Sequence, residues 1–244
     1  MNKLKTLVAS VVVATLSFGA ANSIELRAGL TGQSTAYYAN VEETLKDEGK
    51  KTTDEALAAF SYMSVFGEVA FDSAYGISIG IEYSPDSINI DKADRVIVAS
   101  TANLAEGKPV NSNASATAGS LANDTGTQVI NAAVKDLTLI YVGVPVMSTG
   151  LTAKIGISMA TLQTTETLIT GSTYKDEDLK GYSVGLYYDG AITDNLFYRL
   201  EGAYQTFDDI NLSGSEAGGT ANSFNNIKAE LGGVAAKASL GFKF

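Results

Sequence analysis

Eight strand-like stretches run along this chain of 244 residues, and the joints between them alternate strictly between short and long. Seven of the eight also alternate apolar with polar side chains, and a period of two marks an extended strand with different surroundings on its two faces. The last stretch, Lys228 to Phe244, shows this most clearly. Val234, Ala236, Ala238, Leu240, Phe242 and Phe244 fall on one side, while Ala235, Lys237, Ser239, Gly241 and Lys243 fall on the other. One face is wholly apolar, and the other carries two lysines that the core of a soluble sandwich does not readily accept. Such a strand suits a closed barrel, with lipid outside and water or a charge network inside.

The other stretches can be placed by the same rule. Ile24 to Tyr38 sets Leu26, Ala28 and Leu30 against Glu25, Arg27 and Gly29; Ala59 to Asp72 sets Met63, Val65, Val69 and Phe71 against Tyr62, Ser64, Phe66, Glu68 and Asp72. Gly76 to Tyr83 sets Ile77, Ile79, Ile81 and Tyr83 against Ser78, Gly80 and Glu82. Asp136 to Met147 is apolar on both faces, so its phase cannot be read. Leu151 to Leu162 turns Lys154 inward, Gly181 to Asp189 turns Tyr182, Val184, Leu186 and Tyr188 outward, and Leu196 to Phe207 turns Arg199 and Glu201 inward. Short joints fall at residues 73–76, 148–150 and 189–195, the last with an Asp189-Gly190 turn signal; long ones fall at 39–58, 84–135, 163–180 and 208–227. A transmembrane barrel with short turns at one end and long loops at the other produces this order when both termini lie at the short-turn end. The expected fold is therefore all-β, a transmembrane antiparallel up-and-down barrel of eight strands. Arg95 to Ser100 and Gln128 to Val134 either extend the third and fourth strands or add a hairpin to make ten.

Residues 1–23 begin with Lys3 and Lys5, run apolar from Leu7 to Phe18 and exit through small residues, which is the build of a signal peptide. The barrel domain is then 24–244. The longest apolar run beyond the signal, Leu137 to Met147, is too short for a spanning helix, and the absence of cysteine excludes a disulfide framework. With 17 basic against 27 acidic residues the chain lacks the basic excess that nucleic-acid binding requires.

The signal peptide, the eight strands, the joint alternation and a terminal Phe244 preceded at alternate positions by Phe242 and Leu240 together resemble the small outer-membrane β-barrels of Gram-negative bacteria, the outer membrane protein A and X type and the opacity-protein type. The resemblance implies location in the cell outer membrane, among lipid and lipopolysaccharide, with termini in the periplasm. It also implies insertion by the barrel assembly machinery, which reads the closing strand through Leu240, Phe242 and Phe244, and roles in envelope integrity, adhesion or limited permeability, with an unidentified extracellular ligand or surface partner. A monomer is expected.

Glu25, Arg27, Glu68, Asp72, Glu82, Lys154, Arg199, Glu201, Lys237 and Lys243 are the inward charges, five acidic and five basic. Enclosed charges must pair, and an eight-stranded barrel is narrow enough for side chains to fill, so these residues are expected to plug the lumen. Inward glycines such as Gly29, Gly80, Gly156, Gly185 and Gly241 make room for the long side chains. A narrow porin-like channel for small solutes is the alternative. Catalysis is not expected, because the chain has neither histidine nor cysteine, and neither is a cofactor or a metal. The acidic pairs Glu42-Glu43 and Asp208-Asp209 read as solvated loop surface. Tyr38, Tyr83, Tyr141, Tyr182, Tyr188, Tyr198 and Tyr204, with Phe71, Phe242 and Phe244, are expected to face outward as aromatic girdles.

Overall fold

A computed structural model describes residues 24–44, 51–71, 76–97, 126–147, 149–167, 172–213, 215–216 and 226–244, so the expected signal peptide lies outside the described residues. Eight strands form the wall: β1 (Ile24–Thr44), β2 (Lys51–Phe71), β3 (Ser78–Tyr83), β5 (Gly126–Val146), β6 (Leu151–Thr167), β8 (Glu177–Ala191), β9 (Leu196–Phe207) and β12 (Asn226–Lys243). They pair in that order, all antiparallel, and β1 pairs β12 to close the barrel. Short additions are β4 (Ile88–Ile97), which pairs β5, β10 (Ile210–Ser213), which pairs β12, and the two-residue β7 (Ser172–Thr173) and β11 (Ser215–Glu216), which pair each other. Closure sets Ala28 against Phe242 and Leu30 against Leu240, so the first and last strands share one apolar outer face.

That outer face carries Leu26, Leu30, Met63, Val65, Ile79, Ile140, Val142, Ile155, Ile157, Val184, Leu186, Leu200, Val234 and Leu240, all exposed. A continuous apolar belt of this size is stable against lipid and not against water. From Leu26 to Tyr38 it is roughly 30 Å tall for tilted strands, which matches a bilayer core.

Strands run well past this belt, and here the expected joints are corrected. Residues 39–44 and 51–58 continue β1 and β2, paired to Thr44↔Lys51. Arg95 pairs Gln128 as an extension of the third and fourth strands, so the barrel has eight strands and not ten. Beyond Tyr38 the outward positions turn polar, with Asn40, Lys228 and Glu230 exposed, while Tyr37, Ala39, Leu231 and Ala229 turn inward. On β12 the apolar phase switches from odd residues to even ones across Gly232-Gly233, where the strand meets Tyr38 and Tyr37 of β1. The apolar-outward rule used to find strands fails there because the surroundings exchange places.

The unreadable fourth stretch has a local cause. Asp136 has φ of 53° and the register with β6 slips between Lys135 and Thr138, a one-residue bulge that puts both Val134 and Leu137 inside. The phase beyond it turns Leu139 and Tyr141 inward and Ile140 and Val142 outward, correcting the outward placement of Tyr141. Replacing Asp136 by glycine and by valine removes the same Tyr83 Oη to Asp136 Oδ1 hydrogen bond of 2.9 Å, so the two variants differ in backbone preference and side-chain packing. The valine variant is expected to be less stable than the glycine variant by about 1–2 kcal/mol, measured as the difference in urea midpoint of the refolded barrel.

Candidate functional site

The lumen is filled in layers. Nearest the end that carries Ile24 and Phe244, the Arg199 guanidinium donates to both Glu68 carboxylate oxygens at 3.0 and 3.1 Å and to both Asp189 oxygens at 2.7 and 2.9 Å. Arg27 Nη1 reaches Glu68 at 3.1 Å and Asp189 at 3.3 Å, its Nε reaches Glu25 at 2.5 Å, and Lys243 lies 3.8 Å from Glu25. The Arg199 guanidinium also stacks on the Tyr187 ring at 3.8 Å and faces Phe66 at 5.3 Å. Tyr141 Oη donates to Glu68 Oε2 at 3.0 Å, completing the shell of a carboxylate that is fully enclosed.

A second tier lies above it. Lys154 Nζ donates to Glu82 at 3.0 Å and to Glu201 at 2.9 Å, and Lys237 Nζ donates to both Glu82 oxygens at 3.0 Å and sits 3.7 Å from Glu201. Ser64 Oγ donates to Glu82 at 2.8 Å, and the Tyr141 ring lies 4.1 Å beneath the Lys154 ammonium. Each tier balances, with three cations against three anions below and two against two above. Buried charges paired this fully escape the penalty of several kcal/mol that an uncompensated one carries.

Nine of the ten charges read from the sequence thus meet in the lumen. Asp72 lies outside the described residues. Asp189 was missed: its Asp-Gly pair reads as a turn, but β8 runs on to Ala191 and the inward phase of Ser183, Gly185 and Tyr187 continues to Asp189. That phase was the available signal. The partners of the aromatic residues were missed as well. A Cβ at Gly29 would strike the Phe66 ring, at Gly80 the Tyr141 ring and at Gly241 the Phe197 ring, so these glycines make room for lumenal rings more than for charged chains. The expected aromatic girdles include Tyr38 and Tyr204, whose hydroxyls meet at 2.9 Å on the outer face, and the Tyr188–Tyr198 ring pair. Of the acidic loop pairs, Glu42 binds Lys51 at 2.7 Å and Asp209 binds Lys228 at 2.8 Å.

Above the charges a polar layer holds Gln33, Ser158 and Gln205, with Gln205 Nε2 donating to Ser158 Oγ at 2.6 Å and Gln205 Oε1 accepting from Tyr37 Oη at 2.9 Å. It encloses a space of about 20 Å³ beside Gln33, Ser64, Glu82 and Lys237, enough for one water molecule. Tyr37, Tyr62 and Leu137 roof this layer, and beyond them the far half of the lumen is an apolar cluster that includes Ile88, Val134, Leu162, Leu179, Phe207 and Ile210.

No protein-family model matches the sequence, and no curated protein matches it. Solved structures share its fold. The outer membrane protein OprG from Pseudomonas aeruginosa superposes with a TM-score of 0.56 at 10% identity, over 92% of this chain and 96% of that one. The chain has the fold of the small outer-membrane β-barrels. The outer membrane protein AlkL, solved in lipid bilayers, aligns over 93% of this chain and 92% of its own at 10% identity with a TM-score of 0.49. The outer membrane protease OmpT from Escherichia coli aligns over 93% and 99% at 11% identity with a TM-score of 0.46.

Removing Arg199, which is 2% exposed, leaves Arg27 as the one cation on Glu68 and Asp189 among the described residues. Arg199→Met is expected to cost about 3–5 kcal/mol, and Tyr141→Phe, which removes one donor to Glu68, about 1–3 kcal/mol, both read from denaturant midpoints of the refolded barrel.

Proposed function

We propose that this protein is a non-enzymatic, monomeric outer-membrane barrel with both termini in the periplasm, a lumen sealed to ions, and a role in envelope integrity and surface contact through its far-end strands and loops. The observation that carries the reading is the neutral two-tier plug: its charges come from seven of the eight wall strands and satisfy one another across the lumen. A conducting path needs charges that face water and are free to exchange partners with permeating ions. Those of the plug are engaged, and Glu68 and Lys154 are 3% exposed. Lipid and lipopolysaccharide surround the belt in this reading, the described strand ends beyond Tyr38 stand clear of the membrane, and surface partners meet the polar residues there. The lack of histidine and cysteine removes the usual general base and thiol nucleophile, which supports a role other than catalysis.

The closing strand supports assembly by the outer-membrane insertion machinery. Phe244 is 72% exposed, packs at a tilt of 60° against Phe242 with 5.2 Å between ring centroids, and its backbone nitrogen donates to Leu26 O at 2.9 Å, so it contributes one bond to closure and a large lipid-facing ring.

Planar-bilayer recording of the purified barrel tests the sealed lumen. The expected result is no steady conductance from the native protein and open events in an Arg199→Ala, Lys154→Ala double variant; a large steady conductance from the native monomer would replace this reading with the narrow channel. Deleting Phe244 is expected to lower the amount of heat-modifiable barrel recovered from the outer membrane of cells severalfold while leaving the midpoint of the refolded barrel within about 1 kcal/mol of native.

A further inference from the structure

Three Asn-X-Ser/Thr triplets, the acceptor pattern for an N-linked glycan, occur in the chain, at Asn113, Asn123 and Asn211. The first two lie outside the described residues. The third sits on β10, where Asp209, Asn211 and Ser213 are exposed while Ile210 is buried and Leu212 half-buried. An extended chain turns every second side chain to the same side, so the carboxylate, the amide and the hydroxyl form one outward row. Asn113 and Asn123 are preceded at that spacing by Asn111 and Leu121, so Asn211 alone has an acidic residue two positions before it.

The row stands clear of the lipid belt. Asn211 pairs Lys228 of β12, and on the same strand Val234 pairs Tyr204 of the outer girdle. For a tilted strand those positions are roughly 15 Å apart along the barrel axis. Asn211 Nδ2 donates to Asp209 O at 3.3 Å, and its second N–H has no partner among the described residues. A glycan on Nδ2 takes the place of one amide hydrogen and leaves the other for Asp209 O, so the finished barrel accepts it with no bond lost. The flanking groups are engaged once β10 is paired: Asp209 holds Lys228 at 2.8 Å, and Ser213 Oγ donates to Asn226 Oδ1 at 2.9 Å. An enzyme can use both groups only before β10 meets β12.

We infer that Asn211 is an N-glycosylation site, modified on the exported chain before the barrel closes. The co-substrate is an oligosaccharide carried on a polyprenyl pyrophosphate. Asn211 Nδ2 attacks the anomeric carbon, and the N–C bond forms as the C–O bond to the pyrophosphate breaks. The pyrophosphate leaves with the electron pair, and a base on the transferase takes one amide proton. Ser213 and Asp209 are positioning residues. Each lies about 7 Å from Asn211 along an extended chain and on the same side of it. The hydroxyl is the group the acceptor pattern requires, and the carboxylate offers a basic group on the transferase a charge-assisted partner. In the inserted barrel the glycan projects sideways from the wall beside Lys228, above the belt. The inference rests on the export to the outer membrane proposed above and not on the sealed lumen.

The test takes the barrel from the outer membrane of the cells that make it, verifies folding by heat-modifiable migration, and measures the intact mass and the fragment spectrum of the peptide that carries Asn211. The mass is expected to exceed that of the mature chain by a whole number of sugar residues, with the sugars on Asn211. Asn211→Gln and Ser213→Ala are each expected to abolish the excess, Ser213→Thr to keep it, and Asp209→Ala to lower the modified fraction severalfold, all without change in heat-modifiable migration. A heat-modifiable barrel of unmodified mass would overturn the inference and leave the outer-membrane reading standing. So would sugars on any other residue in place of Asn211, or an excess that survives Asn211→Gln. A chain found only outside the outer membrane would overturn both.

Discussion

Ten charged side chains enclosed in a narrow tube set the terms for the rest of this structure. A β-barrel wall is held by neighbour-to-neighbour ladders, and nothing in the ladders ties one side of the tube to the other. The ion pairs do. Glu68 of β2 reaches Arg199 of β9, Lys154 of β6 reaches both Glu82 of β3 and Glu201 of β9, and Lys237 of the closing strand reaches Glu82. These contacts form only if every strand stands in its present register, because a slip of one residue would turn each charge toward lipid. A paired interior is no more favourable than a well-packed apolar one. What it supplies here is a strong penalty on every wrong alignment.

The aromatic rings serve the same arrangement at closer range. Tyr187 and Tyr141 lie against the two central cations, and Phe66, Tyr141 and Phe197 lie over glycines of the neighbouring strand, where any side chain would collide with the ring. Glycine weakens a strand by removing packing, and a ring laid over it restores the packing and fixes the ring beside its cation. Charge, ring and glycine therefore form one unit, and its geometry depends on strand pairing that only the closed barrel provides.

Much of this was legible in the sequence where one physical contrast held. Along the lipid belt the two faces of each strand meet lipid and lumen, so Leu26, Ala28 and Leu30 separate from Glu25 and Arg27, and the inward charges could be named strand by strand. Asp189 was hidden by a dipeptide that favours turns locally but is overridden by the ladder to Arg199 and Tyr198 on β9. Tyr141 was hidden by the Asp136 bulge, which shifts the phase by one residue and cannot be located from a stretch that is apolar on both faces. The apolar interior of the far half was hidden most completely, because it depends on which strands meet there, and pairing is not a property of any single stretch.

The far half of the barrel shows why a sequence pattern must be read with its surroundings. Past the Tyr38–Tyr204 girdle the wall inverts: Leu179 is buried while its neighbours Asp178 and Lys180 are exposed, and Ile210 is buried beside exposed Asn211. The alternation is as regular as in the belt, but its sign is that of a soluble protein with an apolar interior. Lipid outside permits charge inside, and water outside requires an apolar inside, so the same tube carries two kinds of core joined at the level of the girdle. The polar layer of Gln33, Ser158 and Gln205 sits at that junction, where the interior changes from ion pairs to hydrocarbon. A chain that keeps its strands paired through such a change must switch phase in each of them. On β12 it does so at Gly232-Gly233, where the paired glycines lie beneath the Tyr38 and Tyr37 rings of β1 and leave room for the crossover.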